Sequence, residues 1–90
     1  MNYNDAFDMV NKKANEGNKV IMKIEENDDY WFFVLGNPGV RNFDDGASSF
    51  YVSKRDGNII QVKLWLKEIQ ELNTNFKNNS KVIYDYYKNV

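Results

Sequence analysis

The stretch from Tyr30 to Val62 constrains this chain most. It begins with the apolar run Tyr30-Trp31-Phe32-Phe33-Val34-Leu35, passes through Gly36-Asn37-Pro38-Gly39 and Asp44-Asp45-Gly46, and returns as Phe50-Tyr51-Val52-Ser53-Lys54. Arg55-Asp56-Gly57 then turns tightly into Asn58-Ile59-Ile60. Aromatic and β-branched residues fit a pleated, half-buried surface, and Asp-Gly between such runs marks a hairpin. The stretch therefore dictates a small curved sheet and no catalytic motif. Ninety residues make one domain. A chain of this length buries only roughly 60–65% of its unfolded surface, so its core must be efficient. Fourteen aromatic residues supply that core.

Elements on either side complete the pattern. Tyr3, Phe7, Val10 and Ala14, with Ala6 beside them, recur at helical spacing, which predicts a helix over residues 4–16. Asn4 reads as its N-cap, Asp5 suits the first turn, and Gly17 reads as a left-handed stop. Val20, Met22 and Ile24 alternate with Lys23 and Glu25, a half-buried strand. Asn27-Asp28-Asp29 is a turn. Tyr30–Leu35 is continuous enough to be a central strand or one covered on both faces, and periodicity leaves open which alternate set meets the main core. Residues 36–47 form a long loop. Strands follow over Ser48–Lys54, with Phe50 and Val52 inward, and over Asn58–Lys63, with Ile60 and Val62 inward. Trp65, Ile69, Leu72 and Phe76 predict a second helix over 65–75, broken at Asn78-Asn79-Ser80. Residues 81–87 favour a last strand. The fold expected is α+β: an N-terminal helix on a curved antiparallel sheet in a cystatin-like arrangement, with a second short helix before the final strand.

The inventory excludes several chemistries. The chain has no histidine and no cysteine. Serine–histidine triads, thiolate nucleophiles and ordinary zinc sites are therefore ruled out, leaving carboxylates as the only acid–base groups of note. Cysteine-free composition suits a reducing cytoplasm. The formal charge of −1 comes from interspersed acids and lysines. No basic stripe suggests nucleic-acid binding, and no apolar run reaches the roughly 20 residues of a membrane span. Met1-Asn2-Tyr3-Asn4-Asp5 lacks the basic start and apolar segment of a signal peptide.

Three acidic pairs stand out: Glu25-Glu26, Asp28-Asp29 and Asp44-Asp45. Their spacing does not match a calcium loop, and turn bracing or solvation accounts for them as well as a site does. Gly36-Asn37-Pro38-Gly39 lacks the lysine and helix start of a phosphate loop. Trp31 and Trp65 fit either core or a partner anchor. Tyr84, Tyr86 and Tyr87 cannot all be buried on one face of a strand, so at least one faces solvent or a partner.

The segment Tyr30–Ile60 resembles the small immunity proteins of bacterial polymorphic toxin systems, especially the YrhB-like type. The matching pieces are Tyr30-Trp31-Phe32-Phe33-Val34, Asp44-Asp45-Gly46-Ala47 and Tyr51-Val52-Ser53-Lys54-Arg55-Asp56-Gly57-Asn58-Ile59-Ile60, preceded by the amphipathic helix. Ser53 stands where such families commonly carry an acid, and a strand ending Lys-x-x-Gly-x-Ile also occurs in PepSY-like and cystatin-like domains. The resemblance implies a cytoplasmic protein that binds a cognate toxin domain and occludes its active site, with no catalytic residues, cofactor or metal. A basic nuclease toxin would suit an acidic contact surface built from Glu25, Glu26, Asp28, Asp29, Asp44 and Asp45, with Trp31 or Tyr87 as aromatic anchors. The expected partner is thus a protein, not nucleic acid or membrane, and a homodimer through a sheet edge is compatible with the fold. Two alternatives stay open. One is a PepSY-like or cystatin-like regulatory domain that binds a ligand or protease through the 36–47 loop. The other is an enzyme using carboxylates and tyrosine, which needs at least two acids converging in a cleft.

Overall fold

A computed structural model describes residues 1–37, 49–62, 67–86 and 88. The elements run α1 (Tyr3–Glu16), β1 (Val20–Glu26), β2 (Tyr30–Gly36), β3 (Ser49–Ser53), β4 (Ile59–Gln61), α2 (Lys67–Asn79) and β5 (Lys81–Asp85). The five strands form one antiparallel sheet in the order β4-β3-β2-β1-β5. The fold is α+β, with the second helix placed before the last strand. Among the described residues no helix is long and apolar enough to cross a membrane.

Helix α1 starts earlier than its sequence suggests. Asn2, not Asn4, is the N-cap: its Oδ1 accepts the amide of Asp5 at 2.8 Å. The helix end also differs from expectation. Gly17 has an ordinary negative φ of −96°, and Asn18 takes the left-handed conformation at φ 57°. Lys19 N–H reaches Ala14 O at 2.8 Å and Asn18 N–H reaches Asn15 O at 3.1 Å, the paired bonds of a Schellman stop. Asn is the residue after Gly that best tolerates this position, so the stop moved one residue along without cost in geometry.

Both faces of the sheet are covered. On one, Ala6, Val10 and Ala14 of α1 pack with Ile21, Ile24, Trp31, Phe33, Leu35 and Val52, all buried. On the other, Ile69 and Phe76 of α2 pack with Tyr51 and Val62, joined by half-buried Tyr30, Phe32, Ile60 and Leu72. Strand β2 is apolar throughout because it lies centrally between two helical layers, with Trp31-Phe33-Leu35 toward α1 and Tyr30-Phe32 toward α2. Phe50 and Val52 face α1, as the alternation predicts, while Tyr51 between them is equally buried under α2.

Two bulges break the alternation. In β1 the pairing with β2 steps from Ile21↔Leu35 to Lys23↔Val34, so Met22 is the extra residue. The bulge turns Ile21 and Ile24 to the same face, replacing the expected Val20-Met22-Ile24 set. In β5 the pairing with β1 steps from Tyr84 to Val82, leaving Ile83 as the extra residue.

Other boundaries shift by a few residues. Helix α2 continues through Asn78-Asn79 before stopping at Ser80, because Ile69, Leu72 and Phe76 hold its apolar side on the sheet and packing outweighs the low helix propensity of Asn. Trp65 lies outside the described residues. The last strand ends at Asp85, so Tyr86 falls in a turn.

Candidate functional site

The described chain gathers its charged turns at one end of the sheet. The β1–β2 turn, the β3–β4 turn, the start of β5 and the beginning of α1 all meet there. The β1–β2 turn is braced locally. Asn27 Oδ1 accepts the amides of Asp29 and Tyr30 at 2.9 and 2.8 Å, and Asn27 N–H donates to Tyr30 O at 3.0 Å. A neighbouring strand adds a further tie, Lys54 N–H to Asp29 O at 2.9 Å. An Asn at the turn's first position does this because its short amide reaches backbone two and three residues on. Asp28 and Asp29 are left exposed, and neither forms an ion pair with a described residue.

The β3–β4 turn is equally tied down. Ser53 N–H donates to Asn58 O and Gly57 N–H to Ser53 O, both at 2.9 Å. Asp56 accepts from the Asn58 amide at 3.0 Å and its side-chain Nδ2 at 3.1 Å. The Asn58 amide foremost, and then a hydrogen bond with the Ser53 side chain, hold the Asp56 carboxyl below the usual range. Gly57 sits at φ 73°, and the Met1 side chain lies so close that a Cβ there would approach its Cε to 2.8 Å. The start of the chain is therefore stapled onto this turn.

Glu26 joins these parts. Its carboxylate takes Lys54 Nζ at 2.8 Å and Lys81 Nζ at 3.8 Å. The hydrogen bond from Lys54 holds its pKa below the ordinary value; burial opposes this, while the charges of Lys54 and Lys81 and a hydrogen bond from Trp31 reinforce it. Lys54 also lies 5.2 Å from the Trp31 ring centroid, within cation–π range. Two open polar clefts flank the β1–β2 turn. One, about 310 Å³, is lined by Glu26, Asp28, Lys54, Ser80 and Lys81; the other, about 390 Å³, by Asp28, Asp29, Tyr30, Ser53 and Arg55.

The expected acidic surface thus separates into parts with different roles. Glu25 and Glu26 project to opposite faces; Glu25 has Lys23 at 3.7 Å, and Glu26 is occupied by two lysines. Trp31 is only 5% exposed and packs under Tyr3 and Lys54, so it belongs to the core and not to an anchoring surface. Asp44, Asp45 and Tyr87 lie outside the described residues. Strand β2 ends at Gly36 and β3 begins at Ser49, at the end of the sheet opposite Asp28-Asp29. Cations also stand around the turn: Lys54 and Lys81 at Glu26, and Arg55 in the cleft lined by Asp28 and Asp29. What the braced turn offers is a pair of exposed carboxylates without an ion partner among the described residues, held on a fixed backbone.

Sequence reasoning missed Lys54 and Lys81 as neighbours of Glu26. They are separated from it by 28 and 55 positions, so only the sheet order brings them together. Asn27 had a local signal, since Asn before Asp-Asp is a turn residue, but its bracing bonds needed the structure. Among the described residues no three acids gather in a way that could hold a metal ion. Comparisons with protein-family models, with curated proteins and with solved structures each return no match.

Proposed function

We propose that this chain is an immunity protein, which binds a cognate bacterial toxin domain and neutralises it by covering the active site. The observation that carries the reading is the braced β1–β2 turn, which holds Asp28 and Asp29 exposed and without an ion partner among the described residues. A turn backbone fixed in advance loses little conformational freedom on binding, and the carboxylates it presents suit the lysine or arginine side chains that line a phosphate-binding cleft. The resemblance of Tyr30–Ile60 to immunity proteins, and an inventory without histidine or cysteine, support the same reading. A cytoplasmic location goes with it, because the toxin acts where the chain must meet it.

The test is to look beside this gene for a reading frame that encodes a toxin domain, and to co-express the two. The wild-type chain rescues growth, and the double variant Asp28→Lys/Asp29→Lys binds the purified domain about 100-fold more weakly and no longer rescues. An unchanged circular dichroism spectrum separates this loss from misfolding. Full rescue by the double variant removes this turn from the interface; failure of the wild type to bind or rescue overturns the immunity reading itself.

A further inference from the structure

We draw no further inference here: the strongest candidate, the outer edge of β5 where Val82 and Ile83 are exposed, carries nothing, because the bulge at Ile83 sets Lys81 and Asp85 on opposite faces so that no charge pattern selects an occupant, and nothing in the structure shows what covers it.

Discussion

The two faces of the sheet are built differently. The α1 face is a close-packed layer in which Ala6 and Ala14 let the helix approach and Ile24, Phe33 and Val52 are wholly buried. The α2 face is aromatic and shallower. Phe32 stacks on Tyr51 with ring centroids 4.5 Å apart, and Phe76 meets both rings edge-on at 5.7 and 5.3 Å. The Tyr51 hydroxyl donates to Asn73 of α2. Among the described residues the first face buries nine side chains in its cluster and the second buries four. At about 1.5–3 kcal/mol for each large buried side chain, the α1 face carries more of the stability that the described residues supply. The polar tie and the tilted rings of the α2 face instead fix where the second helix sits.

The contrast breaks most readily at two phenylalanines. Phe33→Ala, at 0% exposure under α1, costs about 4–5 kcal/mol in urea unfolding, which is close to the whole stability of a domain this small. Phe76→Ala, in α2 itself, costs about 3 kcal/mol. Equal losses, or a larger one at Phe76, would remove the asymmetry.

Tyr51→Phe sharpens the second face. Asn73 is half-exposed, so water replaces the lost hydroxyl and the cost is about 1 kcal/mol. Burial, with the Glu25 charge adding to it, pushes the Tyr51 hydroxyl up to about 12. A group whose pKa is raised on folding stabilises fully below its unfolded value and loses that contribution as pH climbs toward the folded one. The wild type therefore loses stability from pH 10 to 12 in a step that Tyr51→Phe lacks. Unfolding midpoints across that range check it.

The smallest effect lies at the charged end. Glu26 is held below its ordinary pKa of 4.5, chiefly by Lys54, so its contribution is present above that value and fades as pH falls through the folded one. Glu26→Gln flattens the acid limb of the stability curve below about pH 4.5. Because the pair is partly exposed, the change is modest and shrinks in high salt. An acid limb identical to that of the wild type would show the Glu26–Lys54 pair to be energetically silent.

Much of this arrangement is written in local sequence patterns. The continuous run Tyr30–Leu35 announces a strand covered on both faces, and Ile69-Leu72-Phe76 announces the helix that covers one of them. The Asp56-Gly57 hairpin and the Asn27-Asp28-Asp29 turn are legible from turn chemistry alone. What the patterns do not carry is anything decided between distant segments. The Met22 bulge is set by pairing with β2, and it overturns the simple alternation of β1. The acids look equivalent in sequence, yet lysines from the β3–β4 turn and β5 occupy Glu26 while Asp28 and Asp29 stay unpaired among the described residues. Trp31 reads equally as anchor or core until its neighbours are known, and those neighbours come from α1 and the β3–β4 turn.

Native-state hydrogen exchange tests the unequal faces most directly. The amides of β1 and β2 exchange only through global unfolding, whereas those of α2 open through a smaller, local event with a lower free energy and a weaker denaturant dependence. Protection in α2 matching that of the central strands would contradict the account, because the second helix would then belong to the same cooperative core as the first.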